Sequence, residues 1–252
     1  MTLLLILLTI SYILLFFLSL RLKDNSIADI FWGLGFILIA WVTYSQSIET
    51  TSQTILTLLV TAWGVRLALN IGSKKFLHAG EDARYARWRA SWRYFYIRSF
   101  LQVFVLQGIL MFFVATPIWI LNFESGFQEH MMLTMIGWLV ALFGLVYETI
   151  ADSELRQFVR TKEEGQILTQ GLRKFHRYPQ YFGESVFWLG ISLIAAQISL
   201  WAFAGWGLIT FLLLFVSGVP LLEARYKGQR NYTMYKKKTP IFFPDYRKIW
   251  EK

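Results

Sequence analysis

Seven long apolar stretches constrain this chain more than any other feature. They cover roughly residues 3–20, 27–46, 54–71, 99–121, 131–150, 186–203 and 205–222. About 20 apolar residues in a helix cross the hydrocarbon of a bilayer, where the backbone must satisfy its own hydrogen bonds. Each stretch therefore predicts a transmembrane helix. Composition agrees, since 56% of the 252 residues are hydrophobic. The last two stretches meet at Ala204 and Gly205, where a very tight turn is expected. The first twenty residues lack a basic leader and a small-residue cleavage site, so they are expected to persist as the first helix. No internal repeat and no Pro- or Gly-rich linker divides the chain. The expected fold is a single all-α membrane domain, residues 1–252, with seven transmembrane helices.

Charge orients this array. Every Lys and Arg except Arg66 falls in four segments: 21–23, 72–98, 151–185 and the tail 223–252. Seven alternating helices put all four on one side, and the opposite loops, 47–53 and 122–130, contain neither residue. The positive-inside rule then predicts the N-terminus outside and the C-terminus cytoplasmic. A multi-pass integral membrane protein is expected, as a monomer among membrane lipids. The absence of cysteine excludes disulfides, thiolate nucleophiles, iron–sulfur clusters and Cys-type zinc sites. Three scattered histidines offer little to a metal, so none is expected.

Arg66 lies inside the third stretch. It either snorkels to the nearby cytoplasmic end or lines a polar cavity opening inward; the second reading is preferred because intramembrane arginines usually face an interior partner. Asp29, near the cytoplasmic end of the second stretch, is the expected partner, and a purely structural tie between the two is the plain alternative. The cytoplasmic segments interleave basic residues with Tyr, Trp and acids, as in "EDARYARWRASWR" and "EARYKGQRNYTMYKKK". Interfacial aromatic belts explain part of this. A site for a large anionic ligand carrying flat rings explains the rest, with arginines on phosphates, rings on rings and acids on hydroxyl or amide donors. Nucleic acid, anionic lipid head groups and a nucleotide cofactor are the candidates: acids mixed into every basic run argue against nucleic acid, and lipid head groups would explain the basic residues but not the acids at the span ends. Neither a G-x-G-x-x-G after a strand nor a P-loop is present. Gly33-Leu34-Gly35 sits in a helix and reads as a packing element.

Four motifs resemble the membrane steroid 5α-reductase-like family, including its bacterial branch. "ADSELRQF" is similar to the family's D-x-x-x-R segment, and "QGLRKFHRYPQYFGES" to its R-H-P-N-Y-F-G-E element. "RNYTMYKKKTPIFFP" resembles its Y-x-x-Y tail, and "EDARYARWR" the bacterial E-D-x-R-Y segment. Tyr178 and Gln180 stand where the family usually has His and Asn. Isoprenylcysteine-type methyltransferases share the R-H-P-x-Y part.

The resemblance implies seven helices binding NADPH from the cytoplasm and reducing the C=C bond of a lipophilic enone, such as a 3-oxo-Δ4 steroid, that arrives from the bilayer. It implies that Asp152 and Arg156 hold the adenosine and phosphate half, and that Arg177, Tyr178, Tyr181 and Glu184 flank the nicotinamide. Arg84, Tyr85 and Arg89, with Tyr232 and Tyr235, would close over the cofactor. Asp82, Glu148, His176, Gln180 and Glu223 belong to the same surface. Arg66 matches the family's third-span arginine. Asp29 is the counterpart of the acid that holds the ketone, and Trp63 occupies the position of its tyrosine partner. Hydride transfer needs neither a metal nor a covalent nucleophile, since the cofactor carries the reactivity. An S-adenosylmethionine-dependent lipid or prenyl-protein methyltransferase, or a non-enzymatic membrane protein, are the other readings. Glu184 directly after Gly183, and the E-D-x-R-Y segment, favour the reductase.

Overall fold

The computed structural model describes residues 1–77, 80–163 and 165–249, without the side chains of 76, 77, 248 and 249. Residues 78–79, 164 and 250–252 of the expected cytoplasmic segments, and the Lys248 side chain, lie outside the described residues. Among the described residues every regular element is a helix. Helix α1 spans Thr2–Leu22, α2 Ile27–Tyr44 and α3 Thr51–Leu77; the short α4 spans Ala83–Ser91. Helix α5 runs Phe95–Val114 with a π-helical stretch at Phe100–Val105, and α6 is Thr116–Phe123. Helix α7 spans Met131–Thr161 and α8 Pro179–Ala195. Helix α9 runs Leu200–Arg225 with a π-helical stretch at Leu212–Val216, and α10 is Arg230–Lys238.

Helix α1 is apolar all round, as a lipid-facing helix should be. Only Leu4, Leu8, Tyr12 and Ser19 are buried, the first three on one i, i+4 stripe facing the bundle. Small residues set the closest seams. Gly33 of α2 and Gly64 of α3 face each other so closely that a Cβ on either would strike the other's carbonyl oxygen, while Gly35 lies on Met111. The expected packing role of Gly33 and Gly35 is thus met. Helices α7 and α8 run antiparallel along a seam of Gly137, Ala141 and Gly144 against Gly183, Phe187 and Gly190. Small residues are what let helices approach within a membrane, where lipid competes for apolar contact.

Among the described residues six helices are long and apolar enough to cross a membrane: Thr2–Leu22, Ile27–Tyr44, Thr51–Lys75, Phe95–Val114, Met131–Thr161 and Leu200–Arg225. The expected sixth stretch, 186–203, differs. Its helix, α8, begins earlier, at Pro179, and stops at Ala195 after 17 residues, about 25 Å of helix. Proline fixes the start because its missing N–H is free at a first turn. The polar but buried Glu184 and Ser185 hide this start from an apolarity window. The turn into α9 falls at 196–199, not at Ala204–Gly205. Gly205 instead lies within α9, against the Val114 carbonyl. The stretch 99–121 is two helices, because Pro117 cannot continue α5.

The four basic segments meet at one end of the bundle, where Lys75 pairs with Asp24, Arg84 with Asp29 and Arg177 with Glu223. At the opposite end Ser52, Glu129, Thr134 and Gln197 form a polar knot joining α3, α7 and the end of α8. Helix α7 has 31 residues, about 46 Å, so its last turns project beyond a 30 Å hydrocarbon layer at the basic end.

Candidate functional site

Two ladders of side chains face each other at the basic end. On α3, Arg66, Asn70 and Lys74 recur every four residues and so share one face; on α7, Glu148, Asp152 and Arg156 do the same. Arg66 Nη1 donates to Asp152 Oδ2 at 2.7 Å, and Nη2 donates to Glu148. Asn70 Nδ2 donates to the same Asp152 oxygen at 2.8 Å and its Oδ1 accepts from Arg156 at 2.9 Å. Lys74 lies within electrostatic reach of Asp152. Gly183 rests on the Glu148 backbone, which brings its neighbour Glu184 into the field of Arg66. Three buried carboxyl groups thus share one guanidinium. Two atoms of this cluster, Arg66 Nε and Glu148 Oε2, are buried without a hydrogen-bond partner among the described residues.

One turn deeper the lining becomes aromatic. Trp63 stacks on Phe187 at 5.5 Å and meets Trp188 and Phe36 edge-on at 5.2 and 5.5 Å. All four rings are fully buried, and the indole N–H groups of Trp63 and Trp188 have no acceptor among the described residues.

Asp29 is elsewhere. The expected Asp29–Arg66 pair does not form, because Gly64 faces α2 and Arg66, two residues on, points about 200° around α3 toward α7. Both Asp29 oxygens are taken, by Tyr85 Oη at 2.7 Å and Arg84 Nη2 at 2.8 Å. Asp82 caps α4 through the Arg84 backbone N–H and also accepts from its Nε at 2.9 Å, which fixes the guanidinium on Asp29. Burial pushes the Tyr85 hydroxyl well above its ordinary pKa, and Asp29 beside it adds to this. Arg89 grips Glu81 with two bonds of 2.8 and 2.9 Å and lies 4.2 Å over the Phe95 ring. Asp82, Arg84, Tyr85 and Arg89, expected over a cofactor, therefore tie the 81–95 segment to the start of α2.

The 173–178 segment meets the tail. Arg177 pairs with Glu223, donates from Nε to the Thr239 carbonyl at 3.1 Å, and its backbone N–H donates to the Pro240 carbonyl at 2.9 Å. The Tyr178 and Tyr232 hydroxyls lie 2.7 Å apart, and burial, then Tyr232, raise the pKa of Tyr178. Tyr235 Oη donates to the Arg173 carbonyl at 2.7 Å, and Arg173 Nη2 donates to Gln180 at 3.1 Å. His176, expected beside a cofactor, is fully buried with both ring nitrogens engaged. Its Nδ1–H donates to the Phe242 carbonyl at 2.6 Å, so in the neutral ring Nε2 accepts from Tyr147 Oη at 2.7 Å. It buckles the tail down instead of facing a ligand.

Tyr181 joins the two regions. Its ring stacks on Tyr178 at 5.8 Å, and its hydroxyl lies in the fields of Glu184, Arg84, Arg173 and Arg225. A continuous wall results: Arg66, Glu148, Asp152 and Arg156, then Glu184, Tyr181 and Tyr178, then Tyr232. Beyond it an open groove of about 390 Å³ is bordered by Glu223, Tyr226, Lys227, Tyr232 and Lys236. Asn70, Lys74, Arg173 and Arg225 belong to this surface but were not among the residues expected there. The four-residue spacing from Arg66 was the signal for the first two. No curated protein and no solved structure matches the chain. A family model described as a protein of unknown function, DUF1295, matches residues 15–239, most of this helical bundle together with both ladders and the first part of the tail, and the chain belongs to that family.

Proposed function

We propose that the chain is an NADPH-dependent reductase of a C=C bond conjugated to the ketone of a lipophilic, steroid-like molecule, of the steroid 5α-reductase type. It would work at the cytoplasmic face of a bacterial inner membrane, with seven spans and the N-terminus outside. The observation that carries the reading is two adjoining pairs of buried polar atoms without partners among the described residues: Arg66 Nε and Glu148 Oε2, and the indole N–H groups of Trp63 and Trp188. Buried polar groups are nearly always satisfied, so such a grouping speaks for a ligand that satisfies them. The charged pair suits a polar cofactor and the indole pair an apolar molecule with one acceptor. The seventh span is supported by α8, which follows α7 from Glu148 at the basic end to Thr134 and Gln197 at the other.

The donor set fits NADPH. Glu148 Oε2 would accept from a ribose hydroxyl or the carboxamide, and Arg66 Nε would donate. Arg156 and Lys74, with Arg173 and Arg225, supply the positive field that phosphates require, and the Tyr178–Tyr181 pair offers a ring face. NADPH, when bound, supplies the hydride. The chain's own work is to orient the enone and to stabilise charge on its carbonyl oxygen. Asp29 is engaged by Arg84 and Tyr85, so that donation passes to the indole N–H groups of Trp63 and Trp188. The packed rings around them exclude water.

The test is to purify the protein in mild detergent and identify the retained small molecule by mass spectrometry. NADPH is expected; S-adenosylmethionine would overturn the reading in favour of a methyltransferase. Arg66→Ala and Arg156→Ala should each weaken NADPH binding several-fold, and unchanged binding would refute those two assignments.

A further inference from the structure

A second feature lies away from this wall, on the lipid-facing side where α1 and α5 meet. A shallow crevice of about 290 Å³ is lined by Phe16, Tyr96, Ile97, Phe100 and Leu101, and its accessible lining is apolar throughout. The two helices are antiparallel there: Tyr12 reaches Met111, and Phe16 meets Phe100 and Phe104 at 5.0 and 5.5 Å. That register carries Arg21, five residues beyond Phe16, to the level of the start of α5. Arg93 and Arg98 flank the same start and are exposed, as are Tyr94 and Tyr96 at 58% and 67%.

These three arginines carry uncompensated charge. The acids of this region are already spent on other cations: Asp24 on Lys75, Glu81 on Arg89, and Asp29 and Asp82 on Arg84. Arg93 lies 5.4 Å over the Tyr94 ring, and among the described residues none of Arg21, Arg93 and Arg98 has a carboxylate partner. Topology alone asks only for basic residues in the loop; it does not ask for an apolar crevice opening directly beneath unpaired ones.

We propose that this crevice is a binding site for one anionic phospholipid, with an acyl chain along Phe16, Ile97 and Leu101 and its phosphate among Arg21, Arg93 and Arg98. An amphiphile is the one occupant that matches both halves, since the crevice offers no polar partner and the arginines no apolar one. Guanidinium groups suit a phosphate because they donate in a planar fork. Tyr94 and Tyr96 stand at the depth where aromatic residues anchor to headgroups. The site is independent of the cofactor reading.

The full chain is exchanged into mild detergent and examined by native mass spectrometry with dioleoyl phosphatidylglycerol, dioleoyl phosphatidylcholine or glycerol 3-phosphate. One phosphatidylglycerol should be retained per chain in preference to phosphatidylcholine. In Arg93→Gln/Arg98→Gln that preference should fall by about thirtyfold, as two surface cations acting on an anionic headgroup imply. Leu101→Asn should weaken both lipids alike. Equal retention of the two lipids by the parent protein would overturn the proposal even if no variant folds. So would an undiminished preference in the double variant, or glycerol 3-phosphate displacing the lipid at equal concentration, which would mark a simple anion site.

Discussion

Arg66→Gln is the most informative single perturbation of the ladder. The Arg66 side chain is 15% accessible, against 3% for Glu148 and 7% for Asp152, so the group belongs to the buried regime rather than that of surface ion pairs. Removing the guanidinium leaves its three acids unequally placed. Asp152 keeps the Asn70 amide at 2.8 Å. Glu148 keeps nothing, since its second oxygen already lacks a partner. Deleting one member of a buried pair typically costs about 3–5 kcal/mol, because a charge is stranded in low dielectric. For a chain of this size that is a fall in melting temperature of roughly 6–20 °C. Thermal unfolding followed by tryptophan fluorescence in detergent reads it directly. The decisive comparison is with Arg66→Gln/Glu148→Gln/Asp152→Asn/Glu184→Gln, which removes all four charges. It should recover much of the loss, because no charge is left stranded in the low-dielectric interior. A quadruple variant as unstable as the single one would show that the Arg66 stem, and not its charge, holds α3 to α7. A single variant melting with the parent would sink the reasoning altogether.

Three further outcomes follow from the same geometry. Trp63→Phe keeps a ring on Phe187 but removes one unpartnered donor; turnover of an enone should fall about tenfold while the smaller ring lowers melting by only a few degrees, and undiminished turnover would remove Trp63 from the carbonyl site. Gly183→Ala places a Cβ at 2.7 Å from the Glu148 backbone nitrogen, which cannot yield as a side chain would, so about 3 kcal/mol of stability should be lost; a variant that melts normally would mean the α7–α8 seam relaxes freely. His176 gives a pH signature: burial, with Arg173 adding, lowers its pKa from 6.5 to about 4, although the Phe242 carbonyl acts the other way. The folded state thus prefers the neutral ring, and its contribution is complete above about pH 6.5 and lost as pH falls toward 4. Hydrogen-exchange protection at 239–245 should decline across that window in the parent and lose the step in His176→Gln; a step that persists in the variant would assign it to another group.

Much of the fold was legible because lipid imposes a simple rule, that apolar length predicts a spanning helix. Five of the expected stretches correspond to long helices whose bounds moved by a few residues, or by more where α3 and α7 continue past the apolar run. Errors came where a polar residue is buried or a special residue has two uses. Glu184 and Ser185 conceal the first half of α8, whose start is marked by Pro179 instead. Gly205 suggested a turn, yet glycine serves a close helix contact as readily, and here it lies on the Val114 carbonyl. The tail contacts were not legible at all. That Arg177, Tyr178 and His176 would meet Glu223, Tyr232 and Phe242 depends on how residues 226–245 fold back, which no periodicity encodes.

The partner of Arg66 was closer to legible than the Asp29 pairing suggests. Residues two apart on a helix point about 200° from each other, so Gly64 and Arg66 cannot serve the same neighbour. Once Gly33 and Gly64 are taken as the α2–α3 seam, Arg66 must face away from α2 and Asp29 must find another cation. Acids near the basic end also lie on α7, α8 and α9; Glu223 of α9 is taken by Arg177, and the glycine seam of α7 and α8 sets Glu148 and Glu184 side by side. The four-residue repeat through Asn70 and Lys74 then selects the α7 face bearing Glu148, Asp152 and Arg156. Small residues therefore decide more than packing here. By fixing which faces meet, they determine which charges are paired, and so which polar atoms are left turned toward a ligand.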